Sequence, residues 1–577
     1  MRLTLIRSAT ALVALSAMLA ACGGADTAAD ASAPQPAQKN ATRAVMTAAA
    51  FGLTTDATFY TIDTGAGLVF KIRRFDDGAS TRSAGDISSM VYNGVQYQDP
   101  SRGTQVNSGF DFLYTGVSAV TVDAQQIGED YVKVTVKGGN LTHYYIAKRG
   151  DPKIYMGTYF TTEPSTLNLV RFIARIPINA LPYSPRPSDL RGTNKTIESG
   201  DIFAMPDGET RSKHYSNMRL KDWTHIGATS NTAGVWIVRD NHEGGSGGPF
   251  YRSLLNQATS TNQEITYIVN YGEAQTEPYR TSMLNSYTMV FNDGTPPGPV
   301  DTSFFSNLDL LGYVGPADRG GVSGSSITGR NPAHTYTVGF SNPRAQYWAE
   351  VDPVDGHFDS PGMLPGDYTM KIYKNELAVE TRNVTVAAGA TTPFAPIAIS
   401  ADPSAAAPLW RIGDFDGSPV EFLNGDKVTT MHPTDPRMSP WVTGDYTIGS
   451  STPDQFPAYH WKSVNGLATI KFNLRKSQIA PLTLRMGLTV AFAGGRPKAQ
   501  VNGWISANPA PSTQPTSRTL TVGTYRGNNV MYGFNIPASE LVVGQNIAYL
   551  SVISGSSGTT FLSPGYSVDA VDLIRTP

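Results

Sequence analysis

Two arginines stand four positions apart in Leu169-Val170-Arg171-Phe172-Ile173-Ala174-Arg175. In a strand, that even spacing puts both guanidinium groups on one face, with Ile173 between them. Two arginines on one sheet face form a natural clamp for carboxylates. Further along, Gly208-Glu209-Thr210-Arg211-Ser212-Lys213-His214-Tyr215-Ser216 brings a lysine into cationic company. A lysine so placed gives up its proton more readily, because each neighbouring cation disfavours the charged form. Clamp and base together suit the binding of a uronate and removal of the acidic proton beside its carboxylate, the first half of a β-elimination. An ion-paired or solvated charged face accounts for the same spacing.

Other chemistries fare worse. Glu243-Gly244-Gly245-Ser246-Gly247-Gly248-Pro249 resembles the serine loop of chymotrypsin-like proteases, but Gly245 stands where the acidic residue belongs. His143, the nearest candidate base upstream, lacks that family's surroundings, and no carboxylate is marked to orient it. A glycine-rich loop that another backbone or a polymer approaches closely is the better reading. The eight histidines form no His-x-x-x-His pair, so metal chemistry has little support. The glycine clusters open no helix, which removes a phosphate loop.

The elements around these residues follow a period of two. In Tyr131-Val132-Lys133-Val134-Thr135-Val136-Lys137 the valines share one face and the polar residues the other, as in a half-buried antiparallel strand. Asn93-Gly94 between two short alternating runs predicts a hairpin turn. No long stretch of helical period and no βαβ alternation interrupts this pattern, so the expected class is all-β. Breaks at Asn292–Pro299 and Ala401–Pro408 suggest three folded parts, spanning 49–300, 301–402 and 403–577. The middle part suits a small sandwich and the last a jelly roll. Trp410, Trp441 and Trp504 are candidates for stacking on sugar rings, with core packing the alternative.

The start of the chain addresses it elsewhere. A basic Met1-Arg2-Leu3 and Arg7 precede an apolar run, Leu12 to Ala21, too short to span a bilayer. Leu19-Ala20-Ala21-Cys22 resembles a lipobox, so residues 1–22 read as a lipoprotein signal with lipidation at Cys22, the sole cysteine. Residues 23–48 have almost no large apolar side chains and are expected to be a disordered tether. The chain is therefore expected outside the cytoplasm, lipid-anchored at a bacterial and outer membrane or else secreted. Lys+Arg of 45 against Asp+Glu of 47 leaves no basic excess for nucleic acid or an anionic bilayer. The lipid on Cys22 is thus the only membrane contact expected, and a monomer is anticipated.

Over nearly the whole length after the tether, the sequence resembles polysaccharide lyase family 4, the rhamnogalacturonan lyases. The matching stretches include Arg171–Arg175, Glu209–Lys213, Ser246–Phe250, Gln275-Thr276-Glu277 with Tyr279-Arg280, and Asp301–Phe305. Met431-His432-Pro433, Phe492–Pro497 and Ser551–Gly558 continue the match in the last part. The resemblance implies a catalytic β-sandwich, a fibronectin type III-like domain and a jelly-roll carbohydrate-binding-like domain. It implies cleavage of the rhamnose-to-galacturonate bond of rhamnogalacturonan I, a pectin backbone, with Lys213 taking the C5 proton. Arg171 and Arg175 would hold substrate carboxylates, and Arg211, Tyr215 and Arg280 would bind substrate beside them. No cofactor is required, and a structural Ca2+ is compatible with such a module.

One position departs from the family. The pattern Gly-His-x-Gln-Thr-Glu reads Gly272-Glu273-Ala274-Gln275-Thr276-Glu277 here, with Glu273 in place of a catalytic histidine. Glu273 protonates the leaving oxygen only if an enclosed site raises its pKa. His214, His225 and His242 are alternative acids, with Tyr215 and Tyr271 behind them. If none serves, the chain is instead a non-catalytic pectin-binding surface lipoprotein with a degenerate lyase site.

Overall fold

A computed structural model describes residues 51–76, 83–106, 109–110, 120–163, 170–241, 243–253, 255–270, 276–277, 279–515 and 518–576. Cys22, the tether, His242, Tyr271 and Glu273 lie outside the described residues. The described residues form β-structure joined by short 3-10 turns, as the period of two requires.

The first sandwich holds the elements that matter for the site. A seven-stranded sheet runs in the order His225–Thr229, Gly234–Arg239, Leu284–Asn292, Lys153–Phe160, Leu141–Lys148, Tyr131–Gly138, Val120–Ile127. Opposite it lies a four-stranded sheet in the order Asn256–Ala258, Asn262–Asn270, Val170–Pro177, Gln105–Val106. Phe172, Ala174 and Ile176 point from this sheet into the common core with Val132, Val134, Val136 and Tyr287. Arg171, Ile173 and Arg175 therefore occupy the other face. The Asn93-Gly94 hairpin forms as expected: both residues adopt positive φ, 49° and 82°, between Ile87–Tyr92 and Val95–Gln96.

Two details depart from the simple pattern. Lys133, expected on a solvated face, is buried and donates to the Leu308 carbonyl at 2.6 Å. The reason is the segment around Ser303–Asn307, whose Phe304, Phe305, Leu308 and Leu310 cover Tyr144, Ile146, Tyr155 and Leu284. The packing of the first sandwich thus runs past residue 300, because that sheet buries both faces.

A separate core from Val322 to Ile397 lies between a four-stranded and a three-stranded sheet. A further core spans Trp410 to Leu573, between two five-stranded sheets. Trp410 and Trp441 are buried in it and Trp504 packs against it, so packing accounts for all three. No helix among the described residues is long and apolar enough to cross a membrane.

Candidate active site

Lys213 sits where a short strand turns. Thr210–Ser212 is the last strand of a three-stranded sheet with Lys195–Glu198 and Ile202–Ala204, and a 3-10 turn, Lys213–Ser216, comes directly after it. Ser212 Oγ accepts the His214 N–H at 3.1 Å and caps the turn. At its far end, Ser216 Oγ accepts the Asn256 N–H at 3.1 Å. This bond docks the lysine turn on the edge strand Asn256–Ala258 of the arginine sheet. The arginine strand is two positions away in that sheet, about 10 Å at ordinary strand spacing.

The lysine does not have arginines as its immediate neighbours. Its Nζ lies 2.8 Å from Asp201 Oδ1. Asp201 Oδ2 accepts from Arg518 at 3.0 Å, and Arg518 donates again to Glu198 Oε1 at 2.8 Å. Glu198 Oε2 is 3.3 Å from His432 Nε2, while Thr521 Oγ1 donates to Oε1 at 3.1 Å. Charges alternate along this chain, with Lys213 and Arg518 sharing the Asp201 carboxylate between them. Burial pushes the Asp201 carboxyl up, but the bond from Lys213 and the nearby cations outweigh it and hold it below the usual range. Glu198 is likewise held low against its burial, through His432 and Arg518.

Arg518, Thr521 and His432 belong to the last body. The same body reaches the lysine turn through two backbone carbonyls: Tyr215 Oη donates to Thr521 O at 2.8 Å, and Asn217 Nδ2 to Val522 O at 3.2 Å. Gly523 makes the approach possible. At φ 77°, a Cβ there would lie 3.2 Å from the His214 carbonyl and 3.1 Å from the Tyr215 ring.

The candidate clamp residues divide. Arg171 is half-buried on the outer face, opposite Ile268. Arg175 is 1% exposed and donates to the Gly103 carbonyl at 2.7 Å and to Glu264, its cross-strand partner, at 3.3 Å. Arg211 is buried and pairs with Glu209 at 2.5 Å, alongside Arg186 and Arg437. Arg280 is buried against the middle body, donating to Asn342 O, Gly245 O and Gln346 Oε1 and pairing with Glu277. Tyr215 is buried under Thr521. In this arrangement Arg175, Arg211, Arg280 and Tyr215 are all buried. Their polar atoms answer protein partners.

The alternative acids are placed as well. Burial, followed by the charge of Lys213, lowers the His214 pKa to about 4. Its imidazole is therefore held toward the neutral form near pH 7, with a single N–H. His225 is on the first strand of the seven-stranded sheet, beside Thr224, and its pKa is also lowered by burial.

The glycine-rich loop is packed against side chains of the first and middle bodies. Gly245, Gly247 and Gly248 take φ of 72°, 88° and 71°, and a Cβ on Gly244 would fall 1.4 Å from Asn285 Oδ1. Gln346 of the middle body accepts the Gly248 N–H and donates to the Gly244 carbonyl, while Glu243 pairs with Arg319. His143, the protease-like candidate base, is wholly buried among Phe110, Tyr145, Phe172 and Tyr287.

Comparison with known proteins settles the family. Residues 51–312 match the rhamnogalacturonan lyase B N-terminal family, 318–394 match domain II of polysaccharide lyase family 4, and 408–573 match its domain III. A probable rhamnogalacturonate lyase A of Aspergillus terreus is 40% identical over 526 residues, covering 91% of this chain and 95% of that protein. The chain belongs to polysaccharide lyase family 4. The rhamnogalacturonate lyase A proteins of Emericella nidulans and Aspergillus aculeatus are each 39% identical over 530 residues, covering 91% of this chain and 96% and 97% of theirs. Within this family-4 chain, the residues that reading the sequence missed are Asp201, Glu198, Arg518 and Thr521. Met431-His432-Pro433 was the one available signal, a matching stretch far from the lysine in sequence and joined to it only by folding.

Proposed function

We propose that the chain is a rhamnogalacturonan endolyase, cutting the rhamnose-to-galacturonate bond of rhamnogalacturonan I by β-elimination. The observation that carries this reading is Lys213, at the end of the strand Thr210–Ser212 and docked through Ser216 on the edge of the separate sheet that holds Arg171. Lys213 Nζ acts as the free amine, having released its own proton to solvent, and takes the C5 proton of galacturonate. The released electron pair forms the C4–C5 double bond, the C4–O bond breaks, and the departing rhamnosyl oxygen takes a proton. Arg171, the half-buried member of the clamp, answers the substrate carboxylate, without which C5 is too weakly acidic. Arg175, Arg211 and Arg280 keep the surrounding elements in place. Glu273 supplies the leaving-group proton in this reading, as the residue at the family's histidine position.

No cofactor enters these steps, so chelation is expected to leave the rate unchanged. Among the described residues no group of three or more His, Cys, Asp or Glu is arranged to hold a metal ion. The lipobox-like Leu19-Ala20-Ala21-Cys22 supports export and surface anchoring through Cys22. Metabolic labelling with a palmitate analogue, lost in Cys22→Ser, tests the anchor. For the activity, the test is to track the ultraviolet absorbance of the unsaturated uronate on rhamnogalacturonan I. A rise is expected; binding with no rise would overturn the enzyme reading in favour of a polysaccharide-binding protein.

A further inference from the structure

We propose that a small cavity beside the glycine-rich loop is a binding site for a monatomic anion of the halide class, held by Arg239. Arg239 ends the strand Gly234–Arg239, and its guanidinium is clasped between the rings of Trp223 and Trp348, at 5.3 Å and 5.5 Å. One terminal nitrogen donates to the carbonyls of Leu220 and Trp223. The other two, Nε and Nη1, are out of contact with solvent and have no hydrogen-bond partner among the described residues. The same is true of Trp223 Nε1. Nor does any described carboxylate lie within ion-pair reach of Arg239, and its neighbour Asp240 turns to Thr288 Oγ1 at 3.0 Å instead.

Arg239 as a whole is partly buried, but its Nε and Nη1 are shut off from water, and a cation so placed is ordinarily paired, because removing charge from water without a counter-charge is costly. Aromatic faces offset part of that cost, and they are in place here. Burial lowers the Arg239 pKa to about 10, as expected for a cation lacking its counter-charge.

The cavity that Arg239 and Trp223 line has a volume of about 30 Å³, and its wall includes Asn241, Gly244, Gly245 and Gln346. A water needs about 10–15 Å³ of such space, so the room suffices for one halide and one water. The N–H groups of Arg239 and Trp223 are donors, which an anion takes without needing acceptors in return. Asn241 Oδ1, a buried acceptor on the same wall with no hydrogen-bond partner, suits the accompanying water. Trp348 and Gln346 come from the middle body, so the anion would fasten the glycine-rich loop between the first two bodies.

Two measurements on the purified protein test this. Crystals soaked in bromide should show an anomalous peak within about 3.5 Å of Arg239 Nε or Nη1. Thermal unfolding at constant ionic strength should rise by about 2–4 °C when gluconate is replaced by chloride. Arg239→Gln should lose the halide response, and if it fails to fold, the bromide map of the unsubstituted protein still decides. Water alone in the cavity, or a midpoint that is the same in both salts, would overturn the proposal.

Discussion

Asp201 divides its two oxygens between a lysine from one body and an arginine from another. A carboxylate used this way fixes where the lysine nitrogen points, and displacement of a catalytic group by about 1 Å costs on the order of 10²-fold in rate. Lys213→Ala should therefore abolish the unsaturated product while leaving polymer retention on an affinity gel intact; surviving turnover would remove Lys213 as the base. Asp201→Asn and Arg518→Ala should each lower kcat by about 10-fold to 10²-fold with KM little changed, measured by initial rates on rhamnogalacturonan I. A fall confined to KM would make them substrate contacts instead. At this scale the sequence was half legible. Lys213 and Arg171 stood out because a base and a clamp have recognisable types and spacing. Asp201 and Arg518 did not, since they lie more than 300 residues apart and only the pairing at 3.0 Å gives either a role.

The strands were the most legible part, because burying one sheet face forces a period of two. Legibility failed where a second layer covered the outer face, as over Lys133, since nothing in a strand says what will lie on top of it. The glycine-rich loop was expected to meet a polymer or another backbone, and what lies closest to it are the side chains of Asn285, Tyr251 and Gln346. Two substitutions test how elements carry the site. Gly244→Ala would force a methyl group into Asn285 and should destabilise the protein by about 1–3 kcal/mol, read from the urea midpoint. Ser216→Ala leaves the buried Asn256 N–H without its acceptor, at about 1–3 kcal/mol. Because Ser216 also docks the lysine turn, its activity loss should exceed what the unfolded fraction explains. Equal losses would show that the serine serves stability alone.

Across the whole molecule, the bodies meet at buried charge. Glu376 of the middle body accepts from Tyr525 of the last at 2.8 Å and from Arg219 of the first at 3.4 Å. Nearby, burial and then the Asp416 charge raise the Glu421 pKa to about 7, and burial raises Asp416 to about 6. Both carboxyls ionise near pH 4 when unfolded, so the folded state holds extra protons between those values. The contribution of these two carboxyls to stability is then full at or below about pH 4 and is lost as pH rises through about 6 and 7. Thermal midpoints at pH 5 and pH 8 should show that decline, and Glu421→Gln should reduce it; an unchanged slope would place the titration elsewhere. Deleting residues 403–577 takes away Arg518, Thr521 and His432 together, so the truncated protein should be inactive even when folded. Descent is bound by the same contact. A lineage that exchanged its terminal module for an unrelated one would inherit a lysine with no counterpart for Asp201, so recombination is expected to pass the three bodies on as a set.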